Sequence, residues 1–186
     1  MAKVHNNIFV RGLWGAVGDQ FVIRTTCSGK TIIANKPRFD DHRQFTEIQR
    51  TYQDAFREAS TYARFAKDQL IYIEMAKGTG STAYNIAISD WFGSPKILQI
   101  NVDHWTGKVG QTIRVKARDN VKVARVALVI RDANNNILEA GEAVRSEAGS
   151  VWWDYTTQSV VTMTPFPTVE ATAQDLPGNT DSFSIS

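Results

Sequence analysis

Three aspartates, Asp119, Asp132 and Asp175, stand where runs of alternating apolar residues give way to turn-forming ones. Carboxylates gathered at loop ends, with backbone carbonyls beside them, can hold Ca²⁺, and Asp119 and Asp175 are the candidate ligands. The structural alternative is that each carboxylate bonds the backbone N–H groups of its own turn. His5, His42 and His104 lack the spacing of a zinc site. The single cysteine, Cys27, excludes an intrachain disulfide and a cysteine-only metal cluster within one chain. No histidine or basic cluster adjoins it in sequence to activate the thiol. A nucleophile elbow, G-x-S-x-G, is missing. Gly12, Gly15 and Gly18 would cradle a phosphate only if they followed a strand and opened a helix. They run instead into Gln20 to Arg24, which reads as a strand. Nothing selects an acid–base pair from the 19 acidic residues. These residues point away from an enzyme and require no cofactor.

The aromatic residues are more suggestive. Trp14, Trp91, Trp105, Trp152 and Trp153 make five tryptophans. Adjacent Trp152 and Trp153 on a strand must face opposite sides, one inward and one outward. An outward tryptophan anchors a protein interface or stacks on a sugar ring. A sugar-binding face is therefore the alternative to a purely structural role.

Composition bounds the remaining classes. At 186 residues, 42% hydrophobic and 22% charged, the chain is an ordinary globular one, with room for one large domain or two small ones. The net charge of +2 is spread evenly, with 12 basic and 9 acidic residues up to Gly93 and 9 and 10 after it. That balance argues against nucleic acid as a partner. No run approaches the roughly 18 apolar residues of a membrane helix, so no membrane insertion is expected. The first residues lack the apolar run of a secretory signal, which implies synthesis in the cytoplasm. The final location stays open between the cytoplasm and an extracellular or virion-like assembly.

The elements that must position these residues follow from periodicity. Phe21 to Thr25 and Lys30 to Asn35 flank Thr-Cys-Ser-Gly, a link of hairpin length. Thr46-Glu-Ile-Gln49 fits a capping box. It opens a helix whose apolar stripe runs through Ile48, Tyr52, Ala55, Phe56, Ala59, Tyr62, Ala63 and Ala66. Its alanines leave room for a close neighbour, most simply the N-terminal hairpin. Leu70 to Met75 reads as a short strand, and Ser81 to Trp91 as a serine-capped helix stopped by Gly93 and Pro95. From Lys96 the pattern is β throughout. Ile113, Val115 and Ala117 alternate, as do Val126, Leu128 and Ile130, and Arg-Asp-Ala-Asn-Asn-Asn turns the chain between Ile130 and Ile137. Seven or so short strands describe a β-sandwich.

Two marks in this half resemble bacterial immunoglobulin-like domains. Ala117-Arg-Asp119-Asn-Val-Lys-Val-Ala is similar to their A-x-D-n-v-x-V segment. Ala173-Gln-Asp175-Leu-Pro-Gly178-Asn179-Thr180 is similar to their A-x-D-x-x-G-N-T turn between the last two strands. The resemblance covers about residues 95–186. It implies a spacer, adhesive or assembly module without chemistry of its own, although such domains commonly sit on exported proteins. Gly29-Lys30, Ile32, Lys36-Pro37, Gln49, Phe56 and Ala59 resemble an uncharacterised bacterial group to which no activity attaches.

The expectation is an α+β protein: an N-terminal β-hairpin plus helices (1–93) packed beside a C-terminal immunoglobulin-like β-sandwich (94–186). Its expected role is self-assembly into a filament, sheath or particle through β-edge contacts. In this reading Asn6, Asn7, Ile8, Phe9 and Val10 are a strand lent to the next subunit and Trp14 is a buried anchor. Partners would be further copies of the chain, with a sugar ligand at Trp152 or Trp153 as the alternative for a monomeric binding module.

Overall fold

The computed structural model describes residues 2–4, 13–26, 29–38 and 44–186. Asn6 to Val10, Gly12, His5, Cys27 and His42 lie outside the described residues. Strands β1 (Ala2–Val4), β2 (Gly15–Val17), β3 (Phe21–Thr25) and β4 (Thr31–Asn35) form an antiparallel sheet in the order β1-β4-β3-β2. The β3–β4 link turns through Gly29 at φ 76°, a value that favours glycine. Lys30 N donates to Thr26 Oγ1 at 3.1 Å, which closes the turn.

Helix α1 (Glu47–Ala66) begins as its sequence requires. Thr46 Oγ1 accepts from Gln49 N, and Gln49 Oε1 accepts from Thr46 N, so two N–H groups that the helix cannot use are satisfied. The neighbour of its small residues differs from the expected hairpin. Ala59, Ala63 and Ala66 are buried, and the helix that packs against α1 is α3 (Ala83–Phe92). At 1.5 Å per residue α1 is about 30 Å long and α3 about 15 Å. Half of the stripe therefore outruns its cover, leaving Ile48 68%, Tyr52 70% and Phe56 53% exposed.

Leu70 to Ala76 is a helix, α2, and not the strand that Ile71, Tyr72 and Ile73 suggest. Seven residues with two β-branched ones cannot be assigned by local preference. The outcome is set by packing, which buries Tyr72 fully beside Ala63, Ala66 and Ala87. The cap of α3 is Thr82, whose side chain accepts from Asn85 N, one residue beyond the expected serine.

Seven antiparallel strands follow: β5 (Lys96–Asn101), β6 (Thr112–Arg118), β7 (Val123–Arg131), β8 (Ile137–Arg145), β9 (Trp152–Thr156), β10 (Thr168–Asp175) and β11 (Thr180–Ile185). Their order is β11-β10-β7-β8-β9-β6-β5. Strand β8 pairs with β7 from Ile137 to Ala143 and with β9 at Val144 and Arg145, so one strand belongs to both layers. The outer strands β5 and β11 approach each other, and Ile97 N donates to Asp181 Oδ2 at 2.9 Å. The result is sandwich-like and nearly closed into a barrel. Its alternating residues fill one core: Ile113, Val115, Val126, Leu128, Ile130 and Val169 are fully buried.

Polar side chains tie down the connections around that core. Buried Glu139 accepts from Tyr155 Oη at 2.7 Å, Gln158 N at 2.6 Å and Ser159 N at 3.0 Å. The Tyr155 ring lies across Gly141, where a Cβ would come within 2.8 Å of it. Gly107, at φ 80°, lies against the Val161 carbonyl, where a Cβ would meet the oxygen at 2.1 Å. Gly110 has φ 81° with open space around it. Gly110→Ala should thus cost about 1 kcal/mol from left-handed strain alone, and Gly107→Ala roughly 3 kcal/mol because backbone must also move. Denaturant midpoints of the two variants measure the difference.

Candidate functional site

Each turn aspartate of the sandwich is engaged by its own turn. Asp119 Oδ2 accepts from Val121 N at 3.0 Å and Lys122 N at 2.8 Å. Asp132 Oδ1 accepts from Asn134 N and Asn136 N, and its Oδ2 from Asn136 Nδ2. These bonds, the Asn136 side chain first, lower the Asp132 pKa. Asn135 takes the left-handed φ of 66° that the asparagine run anticipates. Asp175 Oδ1 accepts from Gly178 N at 2.8 Å and Asn179 N at 2.6 Å, and its Oδ2 from Asn179 Nδ2 at 2.8 Å. Among the described residues no three Asp, Glu, His or Cys side chains come together as a metal site. The arrangement is that of local turn bonds; it does not gather Asp119, Asp132 and Asp175 into a calcium site.

Two of these turns do something further: they hold the helices. Asn179 Nδ2 also reaches Gly93 O at 2.7 Å and Trp91 O at 3.2 Å. Beside Asp119, Asn120 Nδ2 donates to Ser89 O at 3.2 Å. Gly93 leaves room for this contact, since a Cβ there would lie 2.7 Å from the Asn120 amide. Side chains from the sandwich thus bond the end of α3: Asn179 reaches the Trp91 carbonyl, one that the helix cannot use, and Asn120 adds a second donor to the Ser89 carbonyl, which also accepts from Gly93 N. Val121 and Leu176, from the same two turns, pack against the cluster of Ala63, Ala66, Tyr72 and Ala87.

Beneath this contact lies a group of ionisable side chains that periodicity does not reveal. Asp90, on α3, is fully buried. Tyr72 Oη donates to Asp90 Oδ2 at 2.5 Å, and the Tyr62 and Tyr72 hydroxyls are 2.6 Å apart. Burial raises the Asp90 pKa to about 6; the Tyr72 bond opposes the rise, and the charges of Asp119 and Asp175 add to it. Burial likewise pushes both tyrosines upward. Trp91 stacks at a tilt on Tyr62, with centroids 5.4 Å apart. The only cue in sequence is that Asp90 is the one charged residue of α3.

Trp152 and Trp153 take opposite faces, as the strand demands. Trp153 is 6% exposed, with the Arg145 guanidinium 4.8 Å from its ring centroid. It cannot stack on a ligand from solvent, which corrects its place among the binding aromatics. Trp152 faces outward, but Arg114 Cζ at 4.9 Å and Lys116 Nζ at 5.5 Å lie over its ring. Arg114 is itself held by Asp154 at 3.1 Å. A bare sugar platform is absent at this position. Trp14, expected as a buried anchor, is 85% exposed in the single chain.

A cleft of about 320 Å³ opens between the α2–α3 connection and the sandwich, lined by Met75, Thr79, Asn85, Ile86 and Val121 among others. No ionisable side chain lines it, so it offers neither acid nor base. Among the described residues no helix is long and apolar enough to cross a membrane.

No family model and no curated protein sequence matches the chain. Among solved structures, an engineered protein determined at 1.98 Å is similar over 55% of this chain and 25% of that one, at 15% identity and a TM-score of 0.32. The matched part spans only a quarter of that protein's length.

Asn179→Ala should cost about 2–3 kcal/mol, because it strands the Trp91 and Gly93 carbonyls and one Asp175 oxygen. Hydrogen exchange of the variant should show α3 amides losing protection before those of β7.

Proposed function

We propose that this is a non-catalytic structural protein that associates with further copies of itself, with an immunoglobulin-like sandwich as its framework. The observation that carries this reading is the uncovered half of α1. Ile48, Tyr52 and Phe56 lie on the same helical line as buried Ala59, Ala63 and Ala66, yet are more than half exposed. Exposed apolar residues in a continuous row mark an association surface. At 100° per residue the row is flanked by Gln49 and Gln53 on one side and by Thr51 and Ala55 on the other. Arg50, Asp54 and Arg57 fall on the far side. Two identical faces can then meet without like charges opposing each other, which favours a second copy as the occupant.

The immunoglobulin-like part of the reading draws support from the two marks noted in sequence. Asp119 forms the β6–β7 turn, and Asp175 forms the turn between the last two strands, β10 and β11, the place its motif occupies in the family it resembles. A near-closed sandwich offers little free strand edge. Strand contacts between copies are therefore assigned to the small N-terminal sheet, with Asn6 to Val10 as the lent segment and Trp14 as its anchor. No reacting group, cofactor or nucleic acid enters this role.

Size-exclusion chromatography with light scattering tests it. The chain should elute as multiples of its 20.8 kDa mass, and the double variant Ile48→Asp, Phe56→Asp should elute as a folded species of at least twofold lower mass. A wild-type chain that stays at 20.8 kDa at every concentration refutes the reading. Replacing Asn6 to Val10 by Gly and Ser tests strand lending separately: assembly unchanged by that replacement removes it.

A further inference from the structure

The place where α3 meets the sandwich has an unusual charge inventory. Asp90 Oδ1 and Asp119 Oδ1 are both buried, and neither has a hydrogen-bond partner among the described residues. The ionisable groups that act on Asp90 are Tyr62 from α1, Tyr72 from α2, Asp119 from the β6–β7 turn and Asp175 from the β10–β11 turn. Among the described residues none of the three aspartates forms an ion pair with a lysine, arginine or histidine. Asp119 and Asp175 already spend their charge on backbone N–H groups of their turns. Asp90 alone has a single hydroxyl donor, a buried free oxygen and two negative neighbours. An ionised carboxylate in that position is costly, and the way to relieve the cost is to bind a proton.

We infer that Asp90 seats the helices on the sandwich as a neutral carboxylic acid, and that losing its proton loosens α3 from the turns of Asp119 and Asp175. In the neutral acid Oδ2 stays the acceptor of the Tyr72 hydroxyl, and the proton sits on Oδ1, the buried oxygen that has no partner among the described residues. When the proton passes to solvent, an ionised carboxylate is left with one hydroxyl donor, and repulsion from Asp119 and Asp175 comes into force. The contacts at stake are those that fasten the end of α3, from Asn179 to Trp91 and Gly93 and from Asn120 to Ser89. The helical layer is thereby held tight in mild acid and loosened toward neutral pH, a property separate from self-association through α1.

The direction follows from linkage. The folded chain keeps this proton up to about pH 6, whereas an unfolded aspartate releases it near 3.8. The stabilisation is complete below the lower value and is lost as pH rises through the upper one. A shift of about two units corresponds to a change on the order of a hundredfold in the opening equilibrium between pH 4 and pH 7.

Hydrogen exchange by mass spectrometry on the full chain, corrected for intrinsic rates, reads this out. Protection of α3 amides should fall by up to about a hundredfold from pH 4 to pH 7, while amides of β7 stay unchanged. Asp90→Asn, which cannot ionise, should remove that pH dependence. Asp119→Asn, which keeps an oxygen for its turn and deletes one negative neighbour, should move the midpoint to lower pH. Flat α3 protection in the wild type overturns the inference, as does an equal pH dependence in Asp90→Asn. Recovery of protection at pH 7 on adding Ca²⁺ alone also overturns it, by showing that a cation and not a proton fills the place.

Discussion

The architecture depends on one short turn. Asp175 gathers three hydrogen bonds from Gly178 and Asn179, and this fixes the Asn179 amide where it meets the end of α3 at Trp91 and Gly93. The carboxylate aims a neighbouring side chain. Helix α3 in turn carries α1 along the faces of Ala59, Ala63 and Ala66. Apolar contact of Val121 and Leu176 with the helical cluster supplies attraction without direction. The amides of Asn179 and Asn120 supply the direction, because each must find a carbonyl at hydrogen-bond distance.

The sandwich and the helices manage their exposed backbone and apolar surface differently. In the sandwich, β8 serves both layers and Asp181 bridges the outer strands, so few unpaired backbone groups face outward. The helical layer is left incomplete, since α3 is half the length of the helix it supports. What α3 cannot reach remains in water as a row of Ile48, Tyr52 and Phe56. In the proposed role, the contacts between copies would run through this unfinished helix and the small sheet, and not through the near-closed sandwich.

The features legible in sequence were those written within a few residues. The capping box at Thr46 and Gln49 and the Asx turn from Asp132 to Asn136 are local contracts between side chain and backbone, and they formed as read. The alternation of Ile113, Val115 and Ala117 and of Val126, Leu128 and Ile130 likewise reports its own burial. Leu70 to Met75 reads as a strand yet lies in a helix, because so short a run of mixed preferences takes its conformation from the neighbours it packs on. The alanines of α1 announced a close partner but could not say which. The Tyr62, Tyr72 and Asp90 group was invisible, since its members are separated by 10 and 18 residues and no motif joins them.

The Tyr155 ring rests against the bare Cα of Gly141, and its hydroxyl is one of three donors to the Glu139 carboxylate. Three positions on two strands are consequently tied together in mutational space. A methyl group at 141 expels the ring, and a smaller residue at 155 deprives Glu139 of a donor. Homologous chains diverging from this one would then hold all three residues together, or exchange them jointly for an apolar set of similar volume.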